Sequence, residues 1–141
     1  MPTPKPKLSK EAICQMSEAD WQARLSPEVY HVLRQKGTEP PFTGIHTDND
    51  ADGIYRCQGC HAVLFDSMHK FHSGCGWPSF DRAKTPTALS RSLDLSHGMR
   101  RIEVTCSNCG GHLGHVFDDN HITDTGLRYC INSIALDFQA R

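Results

Sequence analysis

Two Cys-x-x-Cys turns, CQGC with Cys57 and Cys60 and CSNC with Cys106 and Cys109, restrict the fold of this chain more than any other feature. Each closes a strand-like run, GIYRC in the first case and RIEVTC in the second. Two thiolates three positions apart at a tight turn can both face one ion, and two such turns brought together make a closed tetrahedral site typical of structural zinc. The 45 residues between Cys60 and Cys106 exceed the spacing of a compact zinc ribbon, so the fold itself has to join the turns. A thioredoxin-like redox dithiol competes for either pair, but no βαβ pattern surrounds one. Four thiolates leave no open coordination position, so catalysis, if present, lies elsewhere. His61, next to Cys60, reads as a surface histidine and not as a ligand.

The rest of the sequence bounds where such a site can operate. A chain of 141 residues suits one domain with a real core. Its formal net charge of −1 gives no electrostatic reason to expect nucleic acid or an anionic membrane surface. The opening MPTPKPKLSKEAICQM has basic residues with no apolar run behind them, so no secretory signal is expected, and no stretch approaches a membrane span. The expectation is a cytoplasmic protein, where free thiols and metal thiolates persist.

Along the chain, the Pro and Lys alternation at the start reads as a flexible tail over 1–16, with a single domain over 17–141. Ser17 before EADWQARL, and Ser26-Pro27-Glu28 before VYHVLRQK and Gly37, predict two capped helices. Val29, Val32 and Leu33 share one face of the second, which therefore packs on something. GTEPPFTG follows as an irregular connection. From residue 53 onward GIYRC, AVLFD, RIEVTC, GHLGHVF and LRYCINSIALDF are rich in β-branched and aromatic residues. Helices first and an antiparallel β body after is the coarse reading.

Three cysteines remain. Cys14 lies near the N-terminus and reads as incidental. Cys75, in HSGCGWPSF, stands between two glycines that let the backbone bend and leave the sulfur reachable, with Trp77 close by. Cys130 alternates with Arg128 and Asn132 in LRYCINSIALDF, so as a strand the three share a face, continued by Ile134, Leu136 and Phe138. Arg128 favours a thiolate on Cys130, and Asn132 adds a donor and an acceptor. A buried, inert cysteine ending a core strand is the competing reading. His112 and His115 in GHLGHVF would face opposite ways on a regular strand; a bulge or turn at Gly114 is needed to bring them together.

The segments GTEPPFTG, YRCQGC, SGCGWPSF, DLSHGMRRIEVTC, CGGHLGHVF and TGLRYCINSIAL, in this order, resemble the methionine-R-sulfoxide reductase B family over roughly residues 18–138. The resemblance implies a mainly β fold, with two antiparallel β-sheets in a tent-like arrangement, short N-terminal helices and a structural zinc site of four cysteines. It makes Cys130 the catalytic nucleophile and puts Cys75 where many members carry a resolving cysteine. Trp77, His112, His115, Arg128 and Asn132 fall on active-site positions, and Cys57, Cys60, Cys106 and Cys109 on the zinc ligands. After GHVF the chain departs from the family, reading DDNHITDTGLRYC in place of a Gly-Pro and a further Pro. The family therefore does not supply the shape of the 118–126 loop.

What the resemblance implies is a monomeric oxidoreductase of protein repair under oxidative stress, the peptide-methionine (R)-S-oxide reductase. Its substrate is methionine-R-sulfoxide, free or in proteins. Cys130 would attack the sulfoxide sulfur, a histidine would protonate the oxygen, and Trp77 would take the methyl group and select the epimer. The Cys130 sulfenic acid would condense with Cys75 to a redox-active disulfide, which thioredoxin would reduce. A non-catalytic zinc module is the alternative, and it leaves Cys75, Trp77 and Cys130 without a role. A zinc deaminase is a third reading, but its His-x-Glu and Pro-Cys-x-x-Cys signature is missing.

Overall fold

Serine side chains start each of the three helices in the computed structural model, which describes residues 6–141. Helix α1 (Lys10–Cys14) is capped by Ser9, α2 (Glu18–Arg24) by a reciprocal Ser17–Asp20 capping box, and α3 (Pro27–Gln35) by Ser26 with Pro27 at its first position. At the end of α3 it is Lys36, not Gly37, that takes the left-handed conformation (φ 57°). Val32 and Leu33 are buried and Val29 is partly so, as the shared face predicts.

The flexible tail expected over 1–16 is corrected for its second half. Residues 1–5 lie outside the described residues, but Leu8, Ile13 and Met16 pack against the core. The Leu8 backbone N–H donates to the Cys60 carbonyl at 2.9 Å, and the Asn108 amide donates to the Leu8 carbonyl. These bonds tie α1 to the two Cys-x-x-Cys turns.

The strands are β1 (Gly53–Cys57), β2 (Val63–Asp66), β3 (Lys70–Phe71), β4 (Ser79–Phe80), β5 (Leu89–Asp94), β6 (Arg101–Cys106), β7 (His112–Phe117), β8 (Arg128–Ile131) and β9 (Leu136–Ala140). They form two antiparallel sheets, a small one ordered β2-β1-β9 and a six-stranded one ordered β3-β4-β8-β7-β6-β5. An aromatic seam joins them: Phe65 stacks on Phe80 at 4.2 Å, and Tyr55 meets Phe80 edge-on at 5.2 Å. The fold is thus mainly β, with two antiparallel sheets and short N-terminal helices.

LRYCINSIALDF is not one strand. It breaks at Asn132 into a 3-10 turn over Ser133–Ala135, and the chain then crosses to the other sheet as β9. Ile134, Leu136 and Phe138 therefore do not continue the face of Cys130; the core face of β8 is that of Tyr129 and Ile131. Strands β3, β4 and β5 have no counterpart in the sequence reading. Two are two-residue pieces, and β5 is a mostly exposed edge strand of polar composition, LSRSLD.

Candidate active site and metal centre

The Cys-x-x-Cys turns end β1 and β6, and the fold brings them together. One sulfur each from Cys57, Cys60, Cys106 and Cys109 lies within 4.8 Å of all the others. The Cys57–Cys109 and Cys60–Cys106 sulfur pairs are 3.7 and 3.6 Å apart. Four thiolates at ~2.3 Å from one zinc ion have edges of ~3.8 Å, so these spacings fit a tetrahedral ion. Backbone N–H groups of Gly59 and Gly111 donate to the sulfurs of Cys57 and Cys109, as expected of acceptors that carry charge. All four residues are buried, so the cluster could hold a metal ion shielded from solvent. His61 is buried too, which corrects the surface reading; it takes a left-handed conformation (φ 63°) and its N–H closes the turn onto the Cys57 carbonyl.

The second centre lies on the six-stranded sheet. Cys130 on β8 stands directly across from His115 on β7 and from Ser79 on β4. The register of β6 against β7 skips a residue at Leu113, between Val104↔Gly114 and Thr105↔His112. This bulge turns His112 and His115 to one face, and their rings meet edge-on at 5.5 Å. Gly114 has to lack a side chain, because a Cβ there would stand 2.0 Å from the Cys130 carbonyl oxygen.

Cys75 reaches the same place from the β3–β4 connection, and its sulfur lies 3.4 Å from that of Cys130. The two thiols share a hydrogen bond, and their acidities part. Cys75 drops to about 4, chiefly through the bond from Cys130, with help from the Ser73 and Ser79 hydroxyls. Cys130 moves up: its bond to Cys75, burial and the charge on Cys75 outweigh the pull of Arg128. The mutual hydrogen bond draws the pair's negative charge toward Cys75, while Arg128 draws it toward Cys130.

A cavity of about 220 Å³ opens over this pair, bordered by Cys75, Trp77, His115, Phe117, Arg128, Cys130 and Asn132, together with Thr38, Arg101 and Gly114. It is smaller than the ~300 Å³ at which drug-sized pockets begin, and matches one side chain better than a cofactor. Six of the seven residues singled out from the sequence border it. His112 does not; it is buried behind the wall with Nδ1 bonded to Glu103 at 2.7 Å. Burial lowers the His112 pKa against the opposing pull of Glu103.

Several partners were not legible. His115 Nε2 bonds Asp94 at 2.8 Å, and that bond holds the Asp94 carboxyl well below the usual range. Arg128 is gripped by both oxygens of Asp119 (2.9 and 3.0 Å) and lies over Phe117. Asn132, expected to offer a donor and an acceptor, commits one of each to the scaffold: its amide donates to the Leu113 carbonyl and its oxygen accepts from the Glu39 N–H. The Glu39 carbonyl also accepts from the Trp77 indole at 3.0 Å, and its carboxylate from the Ile134 N–H, so the 37–44 loop positions the site from the far wall. The one available signal was the alternation in RIEVTC, which puts Arg101 and Glu103 on one face. Asp94 begins the DLSHGM segment with nothing local to mark it.

Comparison with known proteins bears on the whole domain. The family described as the SelR domain matches residues 25–140. A peptide methionine sulfoxide reductase MsrB of Chromohalobacter salexigens is 59% identical over 124 residues, covering 88% of this chain and 93% of its own. The protein of the same name from Burkholderia mallei is 51% identical over 124 residues, 88% of this chain and 87% of its own. With family match, fold and cysteine geometry agreeing over most of its length, the chain belongs to the SelR-domain, methionine sulfoxide reductase B family.

Proposed function

We propose that the protein reduces methionine-R-sulfoxide, free or in proteins, by thiol chemistry at the Cys75–Cys130 pair and recycles on thioredoxin. The observation that carries this reading is the pair itself: two sulfurs 3.4 Å apart at the base of a cavity walled by Trp77 and Phe117. A binding module has no use for such a pair.

Cys130 is the nucleophile. It attacks the sulfoxide sulfur as the thiolate, in the form of the pair in which the charge is drawn onto Cys130 by Arg128 and the shared proton rests on Cys75. His115 gives a proton to the departing oxygen, and Asp94 on its Nε2 stabilises the charged ring before transfer. His112, held by Glu103, buttresses His115 from behind. The protonated oxygen then passes from the substrate sulfur to the Cys130 sulfur: the substrate S–O bond and the newly formed S–S bond break, methionine leaves with the electron pair, and Cys130 is left as sulfenic acid. Cys75 then displaces that oxygen as water and forms the Cys75–Cys130 disulfide. A thioredoxin dithiol reduces it and takes up the oxidation as its own disulfide. Cys14 is no rival for this step, since α1 is tied to the metal turns while Cys75 is already in contact.

Arg128 stabilises negative charge on Cys130, and Asn132 positions the strand end. Trp77, fixed through its indole N–H, offers the flat apolar face on which the methyl group of one epimer rests. Cys57, Cys60, Cys106 and Cys109 would hold one structural zinc, whose contribution is to cross-link the ends of β1 and β6. A monomer working in the cytoplasm completes the reading; among the described residues, no helix is long and apolar enough to cross a membrane.

Thioredoxin-coupled turnover of the two sulfoxide epimers, measured side by side, tests the reading. The R epimer should turn over and the S epimer should not. Equal rates would remove the pocket's epimer choice, and no turnover of either would end the proposal.

A further inference from the structure

The substrate cavity has a neighbour on the far side of one wall. A groove of about 350 Å³ begins behind Arg101 and Phe117, which border both spaces. Arginines gather there: Arg91, Arg100 and Arg101 all line the groove, in a chain whose formal net charge is −1. We propose that this groove receives a residue flanking the oxidised methionine of a polypeptide substrate, and that Arg100 makes it favour an acidic one. The proposal rests on the substrate reading above and extends it to the sequence around the methionine.

Strand register places the dividing wall. Arg101 opens β6 and Phe117 closes β7, so both stand at one end of the six-stranded sheet. The substrate cavity lies over the face that carries His115 and Cys130. Ile102 and Val116, paired across β6 and β7, alternate to the opposite face and line the groove. The groove therefore turns around the sheet end, with Arg101 and Phe117 at the corner. In an extended chain, side chains two positions apart point the same way at a spacing of about 7 Å. A polypeptide with its sulfoxide in the cavity would carry a near neighbour across that corner.

The three arginines are not equivalent. Arg91 is engaged by Tyr129, lying over its ring and donating to its hydroxyl. Arg101 stands 3.6 Å from Asp94, the carboxylate already bonded to His115. Arg100 is exposed, and among the described residues no acceptor is paired with its side chain. It is the cation left to choose a partner. Asp118, exposed on the same rim, is the carboxylate that opposes the three arginines, so the balance stays positive.

That balance selects the occupant. A guanidinium presents a planar fork of donors that matches a carboxylate, whereas a lysine brought to the same rim meets like charge. Ile102, Val116 and Leu127 supply an apolar floor for the stem of a glutamate. The rim is also preformed. Buried Asn120 accepts from the N–H groups of Ile122 and Thr123 and donates to the Thr123 hydroxyl and the Leu127 carbonyl. This clasp shapes the 118–126 loop without prolines and ties it to the groove floor at Leu127.

The test uses the full chain, a small dithiol as reductant and three end-blocked peptides whose methionine-R-sulfoxide is flanked on both sides by Glu, Gln or Lys. In wild type, kcat/KM for the Glu peptide should exceed that for the Lys peptide roughly three- to tenfold, one exposed ion pair being gained and one repulsion avoided. Salt at about 0.5 M should shrink the ratio. Arg100→Glu should invert it and Asp118→Asn should raise it. Both peptides are read on the same protein, so a general loss of activity or stability cancels in the ratio. Equal rates in wild type, or a ratio unmoved by Arg100→Glu, would overturn the proposal. Free methionine-R-sulfoxide and its N-acetyl methylamide separate the other source of a carboxylate. If Arg100→Glu impairs only the free amino acid, the arginine reads the substrate's own α-carboxylate and the flanking role falls. A wild type that reduces the Gln peptide but shows no charge preference defeats this inference alone; one that reduces none of the three defeats the substrate reading as well.

Discussion

Gly114→Ala asks whether the fit between β7 and β8 sets the position of the nucleophile. The added methyl carbon would stand 2.0 Å from the Cys130 carbonyl oxygen. That is more than ~1 Å inside any tolerable carbon–oxygen approach, and neither atom belongs to a side chain that could swing away. The two strands have to part at Cys130, moving its sulfur relative to His115 and Trp77 by a similar distance. A displacement of ~1 Å in a reacting group costs on the order of 10²-fold in rate. The forced opening costs about 1–3 kcal/mol of stability, or roughly 3–10 °C in Tm for a domain of this size. The assay is the rate of the first turnover in rapid-quench experiments, paired with thermal melting. Leu64→Ala is the control: it removes a buried side chain of β2 in the small sheet at a cost of about 2–5 kcal/mol. It should melt earlier yet keep a near-normal first turnover. Wild-type speed in Gly114→Ala, or an equal loss of rate in Leu64→Ala, would refute the reasoning.

Three further outcomes are expected. Cys130→Ser should abolish even the first turnover, whereas Cys75→Ser should reduce one equivalent and stall as a sulfenic acid that a dimedone-type probe labels; a silent Cys75→Ser protein would show that attack needs both sulfurs. Cys57→Ser or Cys109→Ser should lose bound metal and melt well below wild type, because binding free energy at such a site is folding free energy; a metal-free variant with an unchanged Tm would remove the structural role. The Cys75 thiol, lowered to about 4, has already ionised at neutral pH, so its alkylation by iodoacetamide should hold its rate as pH falls from 8 and decline only on approaching 4. In Cys130→Ala the decline should move up toward the ordinary thiol range of about 8.5, and a decline there in wild type would contradict the shared proton.

What could be read from the sequence was whatever is local. Caps at Ser17 and Ser26, strands β1 and β6, and the paired cysteine turns each depend on residues a few positions apart. Even the convergence of His112 and His115 was legible as needing an irregularity, because strand periodicity forbids it otherwise, but the skipped residue is Leu113 and not Gly114, which stays in register with Val104. Long-range pairings were not. Asp94 meets His115 across 21 positions, and Glu39 meets Asn132 across 93. The break after Asn132 was hidden for a different reason. INSIAL is apolar enough to extend a strand, and only the docking of its turn onto the 39–46 loop, through Glu39 to Ile134 and Ser133 to His46, bends it out of the sheet. The sharing of a proton between Cys75 and Cys130 was also beyond reach, since the two sulfurs that share it lie 55 positions apart.

The burial of the four paired cysteines has a consequence for survival among oxidants. Cys57, Cys60 and Cys106 have no exposed surface and Cys109 has little, while Cys75 and Cys130 are reachable. Six thiols free to pair could connect in about 15 ways. A metal on four of them would leave, beside the exposed Cys14, only Cys75 and Cys130, whose sulfurs already lie 3.4 Å apart. On the proposed reading the buried cluster would guard against scrambling: with metal bound, oxidation would be steered to the Cys75–Cys130 pair, and a chain stripped of metal would be open to mispairing.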